Sequence, residues 1–428
     1  MLTFAARMRR PPRVLLLLAL LGPPLRSLSA QQSAATAQVF RTFANHVVKI
    51  QVIETGSSAK STIGSGFFVT GRGHVVTNYH VISSLINAPE RYRAELIDST
   101  GTAKKVKVIA IDVVHDLAIL SSGLASPSYF TPAVTPIAQG DRLFALGHPR
   151  DLGLSIVEGT NNGLLLHTLY PHIHFTGSLN PGMSGGPTID ESGHVIGVNV
   201  STAGNQLSFL VPADRVVALL AKALATDGKR SPSLAQVGLQ LREYQDVYLR
   251  NMFDSSTQKI AFGPFHVITQ PAPFFRCWGD ASPARELAFQ SARHSCETDD
   301  EIYLSEDQTT GSVSVTHQLL TSQELNAFRF MSLYSERLGR HDFSSGDEEY
   351  VTPWKCKARN VANGATKQRA ILCVRRYRKL GELYDGVLKV AVLGAGKAGL
   401  VSTLTMSGVT FANLDRLSRR YLGMITWH

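Results

Sequence analysis

One serine of this chain sits in an unusual setting. Residues 180–187 read NPGMSGGP, with three glycines and two prolines crowded around Ser184 and an exposed-looking Met183. A serine hydroxyl is a poor nucleophile at neutral pH. It needs a base to take its proton and amide donors aimed at the oxyanion that forms. Glycines beside it let the backbone turn sharply, so the N–H groups of Gly182 and Ser184 can point into one small space. Upstream, GHVVTNYHVI puts His80 at the end of an alternating, strand-like run, and an imidazole can accept a proton near neutral pH. A third group must fix the imidazole tautomer and stabilise its charged form. IDVVHDLAIL supplies Asp116, which precedes a continuous apolar run and so belongs at the mouth of a buried strand. Asp112, four residues earlier, competes with it and is expected to be solvated or to hold a loop.

The elements that must position these groups are legible between Val47 and about Val211. Short β-type runs (VVKIQVI, GSGFFVT, RAELID, KVKVIAI, LAIL, RLFALG, HVIGVNV, SFLVP) alternate with glycine-rich turns. This density of strands predicts an all-β barrel or sandwich. PADRVVALLAKALA (212–225) reads as a helix started by Pro212, with Val216, Val217, Leu219, Leu220 and Leu224 as its apolar stripe. The polar stretch TDGKRSPS (226–233) marks a boundary. Beyond it, 236–428 mixes helical spacing (240–253, 284–294, 322–338, 412–424) with strand-like runs (258–269, 311–318, 369–378, 387–393, 400–405), an α+β pattern. In the last helix Leu414, Leu417, Tyr421, Leu422 and Ile425 share one face.

The order His80, Asp116, Ser184 is the chymotrypsin-type order. The ordered set GSGFFVT, VVTNYHVI, DLAIL, LFALGHP, NPGMSGGP, HVIGVNV and SFLVPAD resembles the trypsin-like peptidases of the bacterial HtrA/Deg type over about 45–225. The resemblance implies an all-β double six-stranded barrel (chymotrypsin-like), with the site in the cleft between barrels. It implies His80 as general base, Asp116 as its orienter, Ser184 as nucleophile, and Gly182 and Ser184 as the oxyanion hole. The reaction would be hydrolysis of protein or peptide substrates through an acyl-enzyme, with no metal and no cofactor. Relatives of this type often trimerise, which leaves room for a homo-oligomer. Some positions depart from the wider pattern. Met183 replaces the acid that digestive relatives pair with a freed N-terminus, so no such zymogen switch is expected. Ser178, six residues before the nucleophile, replaces the acid that selects basic side chains. Asn199 and Ser201, with the rest of 199–209, should wall a substrate pocket for a small or apolar side chain. Residues 237–253 faintly echo the start of a PDZ domain, but no carboxylate-binding loop follows, and no family is assigned to 236–428.

The rest of the chain bounds the setting. Residues 1–30 have a basic start, a short apolar run and small residues at the end, the pattern of a secretory signal peptide cut after Ser29 or Ala30. That run is too short to span a bilayer, so stable membrane insertion is not expected. The full chain carries a net charge of +10, but five of its arginines and none of its acids fall in that leader. The mild remainder supports no nucleic-acid binding. Cys277, Cys296, Cys356 and Cys373 all lie in the second half. An even count in an exported chain suggests disulfides, most simply Cys277–Cys296 and Cys356–Cys373, although three connectivities exist. The absence of cysteine from the protease-like half favours a bacterial exported protein, periplasmic or extracellular. Three further motifs are set aside. Gly394, Gly396 and Gly399 spell a dinucleotide fingerprint but lack the following helix and distant acid, so a hairpin loop is expected. His172 and His174 could share a metal but have no third ligand, so surface histidines are expected. Arg375, Arg376, Arg378 and Lys379 read as a solvated strand face. The rival to a peptidase is a catalytically silent binding or sensing protein on the same fold.

Overall fold

The computed structural model describes residues 28–126, 128–132, 137–226, 231–254, 257–282, 288–340, 346–394 and 396–427. Most of the expected leader, and residues 227–230 of the expected boundary, lie outside them. Helix α1 (Leu28–Phe43) covers the expected cleavage point. No helix among the described residues is long and apolar enough to cross a membrane.

The first barrel consists of β1 (Val47–Glu54), β2 (Lys60–Phe68), β3 (His74–Thr77), β4 (Tyr92–Ile97), β5 (Ala103–Asp112) and β6 (Leu117–Ser121), closed in the order β1-β2-β3-β6-β5-β4. Helix α2 (Tyr79–Asn87) interrupts it after β3. The next strands are β7 (Thr131–Pro132), β8 (Arg142–Gly147), β9 (Ser155–Leu164), β10 (Ile173–Phe175), β11 (Pro187–Ile189), β12 (His194–Thr202) and β13 (Ser208–Pro212). Six of them close a second barrel, because β11 pairs with both β8 and β12; β7 adds in parallel to β12. The architecture is therefore the double six-stranded barrel expected. The apolar runs are its core strands: Val48, Ile50 and Val52 of β1 and Leu117–Leu120 of β6 are all essentially inaccessible. Helix α3 (Ala213–Ala225) lays Val216, Leu219 and Ala223 against β5 and β6.

The second region opens with α4 (Leu234–Tyr248) and a small sheet of β14 (Lys259–Phe262) and β15 (Phe265–Ile268). Its main sheet has seven strands. In chain order these are β16 (Arg276–Ala281), β17 (Gln290–Glu297), β20 (Val313–Thr321), β21 (Lys355–Asn363), β22 (Thr366–Arg376), β23 (Leu383–Val392) and β24 (Ala398–Thr410). The order across the sheet is β16-β17-β20-β24-β23-β22-β21. Between β17 and β20 comes the hairpin β18 (Ile302–Ser305) and β19 (Gln308–Thr310); α5 (Ala327–Gly339) covers one face of the sheet and α6 (Phe411–Met424) the other, before β25 (Thr426–Trp427). The helix expected over 284–294 is not one: of its described residues, 288–294, those from Gln290 onward belong to strand β17, fixed by pairing on both sides. Disulfides join Cys277 to Cys296 and Cys356 to Cys373. Gly394 and Gly396 lie between the antiparallel strands β23 and β24, and Gly399 is already in β24, paired with Leu320.

The two regions share a core. Val237 and Leu241 of α4, Ile302 and Leu304 of β18, and Tyr377 and Leu380 pack in one apolar cluster with Ile50, Tyr79 and Ile82 of the first barrel. Gln240 ties α4 to β5 directly, accepting from Val113 N–H at 2.8 Å and donating to Ile111 O at 2.8 Å.

Candidate active site

His80 is not at the end of a strand but in the first turn of α2, correcting the sequence expectation. The strand stops at Thr77; Tyr79, Ile82 and Ile86 then recur at helical spacing and are buried. Asp116 stands in the turn between β5 and β6, with φ of 53°. Its two carboxylate oxygens both face His80. Oδ1 accepts the His80 backbone N–H at 2.8 Å, and Oδ2 meets Nδ1 at 2.6 Å. The turn itself is held by Asn78, whose Nδ2 donates to Asp116 O at 2.7 Å. With Nδ1–H turned to the carboxylate, Nε2 is left as the acceptor. Burial pushes the His80 pKa down, but the Asp116 charge and hydrogen bond outweigh it and leave the pKa above the ordinary 6.5. Asp112 holds a loop, as expected: it accepts from His115 N–H at 3.1 Å and meets His115 Nδ1 at 2.8 Å.

The glycines around Ser184 answer to geometry. Gly182 has φ of +96°, and a Cβ there would stand 2.4 Å from His148 O; Gly185 has φ of +84°, and its Cβ would stand 2.3 Å from Ser65 O. Both positions exclude a side chain by backbone angle and by space. Ser65 fastens this loop to the first barrel. Its Oγ donates to Gly182 O at 2.7 Å and its N–H to Ser184 O at 2.8 Å. Met183 is fully buried, not exposed, among Leu143, Phe175 and Leu210 of the second barrel. An apolar anchor thus holds the loop from behind. Among the described residues the N–H groups of Gly182 and Ser184 donate no hydrogen bond. Ser184 Oγ donates to Val200 O at 3.3 Å and makes no hydrogen bond with His80.

A cleft of about 580 Å³ opens beside His80 and Asp116. One wall is β12–β13: Val200, Ser201, Leu207 and Phe209. Of the three residues expected to wall a substrate pocket, Ser201 lines this cleft. The other two candidates do not. Ser178 is exposed and lies outside this lining. Asn199 is fully buried, donating from Nδ2 to Leu146 O and Met183 O and accepting from Thr188 Oγ1. It serves as a buried brace for the loop that carries Ser184. Its sequence position misled because a β-bulge between Asn199 and Ser201 breaks the alternation that would set both on one face of β12.

Sequence reasoning missed the opposite wall. Tyr170 and His172 line the cleft, and residues of the second region roof it: Arg276, Asp299, Asp300, Glu301 and Tyr303. The Tyr303 ring stands edge-on to His80 with centroids 5.7 Å apart. Asp300 accepts Leu169 N–H at 2.7 Å, Tyr170 OH donates to Glu301 O at 3.1 Å, and Asn87 donates to Leu304 O at 3.1 Å. Burial raises the Asp300 pKa to about 6 and lowers that of His172 to about 4. His172 is thus a buried neutral cleft residue rather than the surface histidine expected. Cys277, His294 and Cys296 cluster within 4.8 Å. Both sulfurs are joined in a disulfide, which leaves no thiolate to bind a metal.

With this geometry in view, the similarity to known proteins is informative. Residues 64–198 match the trypsin-like peptidase domain family. Over 213 residues the chain is 30% identical to Protease Do-like 5, chloroplastic, of Arabidopsis thaliana, covering 42% of this chain and 66% of that protein. It is 30% identical over 222 residues to Serine protease HTRA2, mitochondrial, of Bos taurus, covering 49% and 46%. It is 33% identical over 161 residues to a probable periplasmic serine endoprotease DegP-like of Bartonella henselae, covering 35% and 31%. The match thus spans between about a third and two thirds of these relatives' own lengths. Among solved structures, that of Deg5 is 29% identical, covers 44% of this chain and 93% of its own, and superposes with a TM-score of 0.39.

Proposed function

From the premise that residues 64–198 form a trypsin-like peptidase domain similar to the HtrA/Deg proteases, we propose that the chain is an exported serine endopeptidase. The observation that carries this reading is the paired hydrogen bond of Asp116 to the His80 backbone and ring, beside a glycine-bent loop that presents Ser184. On this reading Ser184 Oγ rotates from Val200 O toward His80 Nε2, gives up its proton there and attacks the scissile carbonyl. Catalytic hydrogen bonds are commonly long in the free enzyme and tighten with substrate. The N–H groups of Gly182 and Ser184 receive the oxyanion. The tetrahedral adduct collapses as His80 Nε2–H protonates the leaving amine, and the acyl group stays on Ser184. Water, deprotonated by the same nitrogen, then attacks the ester and releases the acid. Asp116 remains ionised and holds the imidazolium.

Residues 1–30 act as the leader for export to the periplasm or outside the cell, and 31–226 as the catalytic unit. The second region, 236–428, gates or supplies one wall of the cleft through Asp299–Tyr303, which supports narrow, extended peptide segments as substrates. Oligomer formation is compatible with this arrangement.

The hydroxyl's present partner, Val200 O, is the observation that favours the rival, a silent protein on the same fold. A fluorophosphonate probe separates the two. Labelling of the native chain that disappears in Ser184→Ala is expected; a native chain that stays unlabelled at any pH between mild acid and mild base would remove the peptidase reading.

A further inference from the structure

The main sheet of the second region carries a basin remote from the peptidase cleft. α5 covers one end of a sheet face with Phe330 and Tyr334, packed on Leu320, Ala391 and Val401. Near its last turn the described residues of the same face line a depression of about 440 Å³, a size suited to a small organic ligand. Strand alternation fixes its floor. Thr316 of β20 pairs with Thr403 of β24, and Thr403 with Lys389 of β23, so a row of hydroxyls runs toward an ammonium. Arg293 enters from β17, and Arg337 and Arg340 descend from the end of α5.

Four cations therefore converge, and among the described residues no acidic side chain lines the basin. Like charges at close range repel and need a counter-charge. Among the described residues, internal partners of the three arginines supply little. Arg340 pairs with Glu336 outside the lining at 3.1 Å, and Lys389 donates to the Arg340 carbonyl. Among the described residues Arg293 bonds only the neutral Ser295 hydroxyl, at 3.1 Å. Arg337 Nε is buried and has no hydrogen-bond partner among the described residues. A buried unsatisfied donor on a charged group is costly to leave open. Among the described residues the lining also holds no aromatic ring to stack on a base.

We propose that this basin binds the phosphate group of a small organic phosphate or of a lipid headgroup. Guanidinium forks match phosphate oxygens in pairs. The Thr316 and Thr403 hydroxyls can donate to the remaining oxygens. The multiple cations favour a multiply charged tetrahedral anion over a single carboxylate.

The test uses the full chain and two probes. Isothermal titration with inorganic pyrophosphate measures the soluble source; co-sedimentation with phosphatidylcholine vesicles, with and without phosphatidylglycerol, measures the headgroup. Binding is expected to at least one probe and to weaken as salt rises. Arg337→Gln should weaken it by about tenfold or more, the loss of one or more charge-assisted hydrogen bonds, and Arg337→Lys by less. The exposed Arg293→Gln, which disturbs no packing, provides an independent variant should Arg337→Gln melt early. Pyrophosphate binding alone assigns a soluble phosphate, and binding to the anionic vesicles alone assigns a headgroup. No binding to either probe, or equal binding by native protein and the Arg293→Gln/Arg337→Gln double variant, overturns the proposal.

Discussion

The two halves of the molecule finish their sheets in different ways. The first half closes each sheet on itself, so that six strands pair all round and no edge of either ring is left open. The second half keeps an open seven-stranded sheet, whose outer strands are β16 and β21. Those strands bury little: nearly every residue of both is exposed or half-exposed. Each is joined to its inner neighbour by a disulfide, Cys277–Cys296 from β16 to β17 and Cys356–Cys373 from β21 to β22. Covalent bonds stand where burial is missing. The cysteine-free half and the cysteine-bearing half are two solutions to one problem, the sheet edge. The difference also divides labour, because closure gives the barrels rigid walls on which a hydroxyl, an imidazole and a carboxylate can be held in register.

The largest effects should fall on the barrel half and leave the open sheet intact. Ser184→Ala is expected to lower kcat on a peptide substrate by about 10⁶-fold, with unchanged circular dichroism and melting temperature. Asp116→Asn is expected to lose about 10⁴-fold, since an amide favours the wrong imidazole tautomer. The pH profile sharpens the same point. In the proposed mechanism the base is neutral His80, so kcat/KM should rise with pH through a midpoint above the ordinary 6.5. In Asp116→Asn that midpoint should drop. The sign for stability is opposite. A raised histidine pKa stabilises the fold below the unfolded value, and this increment is lost as pH rises through the folded value.

Removing a staple should have the converse effect. Replacing Cys356 and Cys373 together by serine opens a loop closed over 17 residues. Destabilisation of the second half by about 3 kcal/mol is expected in a denaturant titration, while fluorophosphonate labelling in buffer persists. Equal loss of labelling and of sheet structure would show that the two halves do not divide as described. The smallest effect should come where the halves meet. Tyr303→Ala removes an aromatic contact with His80 and is expected to change kcat/KM on an extended peptide by up to about tenfold. Turnover of a small ester, which does not reach the roof, should hardly change.

How much of this was legible depended on how far each feature lies along the chain. His80, Asp116 and Ser184 could be picked out because each adjoins a run whose apolar pattern marks a buried strand, and the order of those runs is specific. His80 was placed on the wrong element, since VVTNYHVI carries both a strand alternation and, from Tyr79, helical spacing. Met183 read as exposed among glycines, yet the loop folds back and buries it. Strand β9 was passed over because GTNNG carries turn residues, although β8 and β10 pair with it on both sides. In the second half the interior strands β20, β22, β23 and β24 showed themselves by apolar runs. The edges β16 and β21 did not, being stapled rather than buried. The cleft roof had no sequence signal: the contact of Leu169 with Asp300 joins residues 131 apart, and no local pattern records it.

The central claim is that Ser184 becomes covalently acylated by way of His80. It is tested most directly by mixing the full chain with excess p-nitrophenyl acetate and mapping the adduct by peptide mass spectrometry after acid quench. The expected result is an acetyl group on the peptide containing residues 180–187, formed in a burst with p-nitrophenol and absent from both Ser184→Ala and His80→Ala. An acetyl group found only on lysines, or one on Ser184 that forms as fast in His80→Ala as in the native chain, would contradict it.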